Sequence, residues 1–118
     1  MTAVKLKEIT TKIGSGATPK GGKGAYKSEG ISLIRSMNVY DAHFTTKNLA
    51  FIDKSQAKKL SNVEVHSSDI LLNITGASVA RCCMVPNDLL PARVNQHVAI
   101  IRVDENLADP RYVFLCLV

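Results

Sequence analysis

Asp69-Ile70-Leu71-Leu72-Asn73-Ile74-Thr75-Gly76-Ala77-Ser78-Val79-Ala80-Arg81-Cys82-Cys83-Met84-Val85 decides the fold class. Its first half is a short apolar run, Gly76 breaks the pattern, and Ser78 to Val85 resumes it. Apolar runs this short, bounded by turn residues, read as strands, and two of them around a glycine read as a hairpin. A turn over Asn87 to Pro91 follows. Then comes the longest strand candidate, Val94-Asn95-Gln96-His97-Val98-Ala99-Ile100-Ile101-Arg102-Val103. Its latter half does not alternate, which predicts burial on both faces.

Working outward, Ile31-Ser32-Leu33-Ile34-Arg35 and Asn48-Leu49-Ala50-Phe51-Ile52 read as strands, with a polar, exposed segment from Ser36 to Lys47 between them. Val63-Glu64-Val65 reads as another. Helices are minor. Leu6, Ile9 and Ile13 fall at i, i+3 and i+7 and suit a short amphipathic helix or turn. Asp53 to Leu60 suits two helical turns, capped by Asp53 or Ser55, with Lys58 and Lys59 near the C-terminal dipole and Ala57 and Leu60 facing inward. Asp109-Pro110-Arg111-Tyr112 starts a helix with a cap and a proline at its first position, and the chain ends inside the apolar run that follows. The stretch Gly14 to Gly24 holds five of the seven glycines and reads as a loop. The expected fold is α+β: a β-rich, mixed or antiparallel twisted sheet with short helices, the C-terminal one truncated.

At 118 residues the chain is one domain, 1–118, because about 150 residues is typical for one. Hydrophobic residues make up 46% and charged residues 21%, so the core is an ordinary globular one, built without Trp from Ile, Val, Leu and Ala. Fifteen Lys and Arg against ten Asp and Glu leave a net charge of +5, which favours an anionic partner through long-range attraction and counterion release. Nothing approaches the run of about 18 apolar residues needed to span a membrane, and the N-terminus lacks an apolar signal region. The expected location is cytoplasmic. Cys82, Cys83 and Cys116 are odd in number with two adjacent, which suits reduced packing residues and no disulfide framework.

Catalytic readings fail one by one. A phosphate-binding P-loop would need glycine at Ala17, five before Gly22, and Ser or Thr at Gly24 after Lys23. Gly14-Ser15-Gly16 meets Pro19 where a dinucleotide fingerprint needs its third glycine, and no strand precedes it. Asp109-Pro110-Arg111-Tyr112 lacks the second proline and upstream apolar strand of an amino-methyltransferase tetrapeptide. His43, His66, His97 and the cysteines show no metal-ligand spacing, and no Ser or Cys occupies a nucleophile elbow. No cofactor and no metal are expected.

What remains is a scaffold whose loops carry cationic and hydrogen-bonding groups. Lys20, Lys23, Tyr26 and Lys27 share one loop, Arg35, Ser36, Asn38, Tyr40 and His43 a second, and Thr75 and Arg81 a third. Lys neutralises phosphates at any sequence, whereas Arg pairs with guanine edges and Asn with adenine edges, so loops mixing them suit a DNA reader.

The segments Leu6-Lys7-Glu8-Ile9, Gly14-Ser15-Gly16-Ala17-Thr18-Pro19, Gly30-Ile31-Ser32-Leu33-Ile34-Arg35, Asp69-Ile70-Leu71-Leu72, Gly76-Ala77-Ser78-Val79-Ala80-Arg81, Asn95-Gln96-His97 and Pro110-Arg111-Tyr112-Val113 occur in an order that resembles a target recognition domain of the specificity subunit of Type I restriction-modification systems. The resemblance covers essentially the whole chain. It departs at Leu33, where the family often has Trp, at Asn38, where Asp is common, and at Ala80, where a second Gly is usual.

The resemblance implies a DNA methylase specificity domain-like fold without catalytic residues. Such a domain reads one half of a split double-stranded DNA target for partner methyltransferase and endonuclease-translocase subunits. It further implies that Gly14, Gly16, Pro19, Asp69 and Gly76 are structural, and that DNA is met by Lys20, Lys23, Lys27, Arg35, Ser36, Asn38, Tyr40, His43, Arg81 and Arg93. The long helices joining two such domains in a full subunit are missing from this chain. On this reading the basic loops settle on phosphates while Arg35 or Asn38 reaches a major-groove edge. An RNA-binding β-domain and a protein-interaction module, dimerising through the exposed C-terminal helix, are the rival readings.

Overall fold

The computed structural model describes residues 6–19 and 22–118. In chain order its elements are β1 (Thr10–Ser15), β2 (Ile31–Ile34), β3 (Val39–Tyr40), β4 (His43–Phe44), β5 (Ala50–Ile52), α1 (Lys54–Lys59), β6 (Ile70–Asn73), β7 (Cys82–Met84), β8 (Ala92–Val94), β9 (Val98–Val103) and α2 (Pro110–Leu117). They form a four-stranded antiparallel sheet in the order β1-β9-β6-β7, a three-stranded mixed sheet β5-β2-β8 and the small hairpin β3-β4. The fold is α+β, with mostly antiparallel sheets and few, short helices.

The apolar run of β9 explains the layering. Strand side chains alternate in direction, so β9 feeds two cores. Val98 and Ile100 join Leu71 and Cys83 in the larger core, together with Leu33, Ile34, Ile52 and Val94 of the mixed sheet. Ile101 and Val103 join Ile70 and Cys82 on the opposite face, where Val113 of α2 covers them. The adjacent Cys82 and Cys83 therefore belong to different cores, and both are free and buried.

The helices follow their sequence signals. Asp53 accepts from the Gln56 backbone N–H at 2.8 Å while the Gln56 side chain takes the Asp53 N–H at 2.8 Å, a reciprocal cap that starts α1. Ala57 and Leu60 face inward. Asp109 accepts from Arg111 N–H at 2.9 Å and begins α2 with Pro110 behind it. No helix among the described residues is long and apolar enough to cross a membrane.

Four expectations are corrected. The helix or turn expected over Leu6 to Ile13 is a 3-10 turn at Leu6–Glu8 followed by β1, because the free edge of β9 offers Thr10 to Ser15 a ladder that a short local helix cannot match. Gly14 and Ser15 thereby leave the expected loop and end a strand. Val63-Glu64-Val65 is not a strand: Ser61–Val63 is a 3-10 turn, and Glu64 makes only an isolated bridge to Arg93. The expected strand Val94 to Val103 is two strands in different sheets. Asn95 turns the corner between them, its Oδ1 accepting from His97 N–H at 3.0 Å while Gly16 N–H binds its carbonyl at 3.0 Å.

Candidate nucleic-acid interface

The segment between β2 and β5, expected to be simply exposed, is an organised loop built around one asparagine. Asn38 is fully buried. Its Oδ1 accepts from Arg35 N–H at 3.1 Å, and its Nδ2 donates to the carbonyls of Thr45 at 2.9 Å and Lys47 at 3.3 Å. Asn73, at the end of β6, donates its Nδ2 to the carbonyls of Ser36 at 3.0 Å and Val39 at 3.1 Å and so clamps the loop to the four-stranded sheet. The tip of β3-β4 is tied down as well, by Ala42 N–H to the Cys82 carbonyl at 2.8 Å.

This rigid loop displays an exposed surface in two adjoining hollows that share Met37 and Tyr40. One, of about 410 Å³, is also lined by His43, Thr45, Lys47 and Asn48. The other, of about 360 Å³, is lined by Ser36, Thr75, Gly76, Ala77, Arg81 and His97. Among the described residues no acidic side chain lines either hollow, and the exposed Asp41 stands between Tyr40 and His43 in the hairpin turn. Arg81 lies over the Tyr40 ring, its guanidinium carbon 5.1 Å from the centroid, and the Tyr40 and His43 rings are 6.3 Å apart. Thr75 Oγ1 and His97 Nδ1 share a hydrogen bond of 2.6 Å across the second hollow. The hollows by α2 differ in charge: Asp104, Glu105 and Asp109 line them.

Of the residues expected to meet DNA, Ser36, Tyr40, His43 and Arg81 come together here. Arg35 adjoins them but is engaged, with Nη2 donating to the Asn48 carbonyl at 2.5 Å and its guanidinium carbon 5.2 Å from the Tyr26 centroid. Lys27 stands beside Asp53, 4.0 Å away. Two expectations are corrected by burial. Asn38 spends its amide on the loop and presents no edge to a ligand. Arg93, only 7% exposed, donates to the Ala57 and Ala92 carbonyls at 3.2 and 3.1 Å and faces Glu64 at 3.5 Å, so it packs the interior. Lys20 lies outside the described residues, as does the side chain of Lys23. Met37, Lys47 and His97 line the hollows outside the expected set; His97 lies in the quoted Asn95-Gln96-His97 segment, whereas nothing in the sequence marks Met37 or Lys47.

The residues expected to be structural also differ among themselves. A Cβ on Gly16 would lie 1.7 Å from the Val94 carbonyl oxygen, so only glycine fits there. Gly76 has φ +75°, which favours glycine, and Pro19 is buried. Asp69 is fully buried in a bidentate pair with Arg102, at 2.9 and 2.7 Å, and also accepts from His66 N–H at 2.7 Å. A Cβ on Gly14 would meet open space, and nothing in the structure requires glycine there. Gly30, at φ +136° and against the Ile52 carbonyl, does require it.

No family model matches the sequence, and no curated protein matches it. Among solved structures the chain is similar in fold to the HsdS subunit from Thermoanaerobacter tengcongensis, with a TM-score of 0.66 at 15% identity. The match covers 97% of this chain and 26% of that one, so the chain spans about a quarter of the length of the subunit it resembles.

Proposed function

We propose that this chain is a target recognition domain that reads double-stranded DNA, one half of a bipartite target, for the methyltransferase and endonuclease-translocase subunits of a Type I restriction-modification system. The observation that carries this reading is the surface around Met37 and Tyr40, with Arg81 stacked on Tyr40 beside His43, Lys47 and His97. A fold shared with an HsdS subunit, the specificity component of such systems, and the order of the sequence motifs support it.

The roles follow from chemistry. A guanidinium stacked on an aromatic ring is preorganised and loses less freedom when it binds, and Arg pairs with guanine O6 and N7 in the major groove better than any other side chain. Arg81 takes the base-reading role expected of Arg35 and Asn38, which are engaged within the fold. Lys47 and Lys27 take phosphate contacts, and Tyr40 and Thr75 supply further hydrogen-bonding groups. The domain reads and positions; chemistry on DNA belongs to the partner subunits.

The test is selection from random-sequence duplexes by the domain placed in an intact specificity subunit with its methyltransferase. The wild type should enrich a short half-site. Arg81→Ala should weaken the best site by about 1–3 kcal/mol and relax preference at one guanine. Equal weakening on all sequences would leave Arg81 a phosphate contact, and preference for single-stranded RNA in competition would overturn the reading.

A further inference from the structure

One apolar side chain, Met37, lines both hollows. Met37 is 46% exposed, and both of its neighbours are pinned: Asn38 by its three side-chain hydrogen bonds, Ser36 through its carbonyl to Asn73. The turn Ser36–Asn38 is thus held from both sides and presents the thioether between the two hollows. Its apolar surface is therefore held in place before any partner arrives. Such a group is useful when a partner covers it with something apolar.

Resting on the DNA-reading function proposed above, we infer that Met37 reads a thymine through its C5-methyl group. On a duplex the major groove offers one apolar mark, that methyl, and side chains that read it do so by apolar contact. Methionine suits this contact because its thioether is unbranched and polarizable and fits an irregular surface. Arg81, lining the same hollow, supplies the polar half of the readout, so a guanine and a thymine are expected within the same half-site.

Deoxyuridine differs from thymidine by that methyl alone and isolates the contact. Random-sequence duplex libraries, one with thymidine and one with deoxyuridine in its place, are selected with wild type, Met37→Ala and Met37→Leu in the intact specificity subunit. The wild type should show a thymine preference that falls about four-fold in the deoxyuridine library, the worth of one buried methyl. Met37→Ala should lose that preference while keeping the guanine preference, and Met37→Leu should retain most of it. A wild-type preference that persists undiminished with deoxyuridine overturns the inference, as does a thymine preference that Met37→Ala leaves intact. Uniform weakening by Met37→Ala on every sequence overturns it in favour of an inserted wedge. If the wild type enriches no duplex, the DNA-reading function falls, and this inference with it.

Discussion

Burial decides what individual residues do here, and residue type alone predicts it unevenly. Asn38 and Arg93 have the right chemistry for reading bases, yet both are spent inside, because a loop with many backbone carbonyls needs a buried amide and a buried guanidinium needs carbonyls and Glu64. Nothing in their sequence neighbourhood marks this. Cys82 and Cys83 are buried packing residues, as adjacent thiols in an apolar strand predict, whereas Cys116, expected to pack as well, is exposed on α2. Burial, with Cys82 adding to it and a backbone hydrogen bond involving Tyr40 opposing it, pushes the Cys83 thiol up from the usual 9.0 to about 12. The folded state therefore holds the Cys83 proton after the unfolded chain has released its own. The stability this provides is complete below pH 9.0 and is lost as pH rises toward about 12. Urea midpoints should accordingly fall between these pH values, and Cys83→Ala should flatten that fall. At pH 8, where Cys82 and Cys83 stay buried, a thiol reagent should label Cys116 quickly and the other two only after denaturant is added.

Among the elements, those fixed by local signals were legible and those fixed by partners were not. The caps of α1 and α2, the β6-β7 hairpin and strands β2 and β5 follow from cap residues, apolar runs and turn residues. β1 was missed because its strand exists only through pairing with β9, and the break at Asn95 was missed because only the packing of two sheets calls for a corner within an apolar run. The turn joining β6 to β7 carries a strain at a position where the sequence departs from the family it resembles. Ala80 stands where the resembling family usually has a glycine, and its φ is +73°, in the left-handed region that costs a residue with a Cβ about 1–2 kcal/mol. Its N–H is held to the Asn73 carbonyl at 2.8 Å, so the hairpin cannot relax the angle without losing that bond. Ala80→Gly should raise unfolding free energy by about 1 kcal/mol after the entropy cost of a new glycine, read from chemical denaturation. A loss of stability would mean that the Ala80 methyl makes contacts worth more than the strain.

At the scale of the whole molecule, a net charge of +5 favours an anionic partner without saying which face would meet it. Lys47 and Arg81 line the loop surface, with the exposed Asp41 in the hairpin turn beside them, while Asp104, Glu105 and Asp109 gather where α2 begins. Two of the arginines that contribute to the formal charge, Arg93 and Arg102, face carboxylates within the fold and add little to an outward field. The effective cationic surface is therefore smaller than the composition implies. Salt dependence measures this directly, because each phosphate neutralised releases condensed counterions and adds about 0.9 to the slope of log affinity against log salt. Lys47→Ala should therefore lower the magnitude of the slope by about one unit and weaken all duplexes alike. Arg93→Met, which removes an interior charge, should leave the slope unchanged whatever it does to stability. If the two substitutions changed the slope equally, the difference between the exposed Lys47 and the interior Arg93 would not govern how the domain meets its ligand.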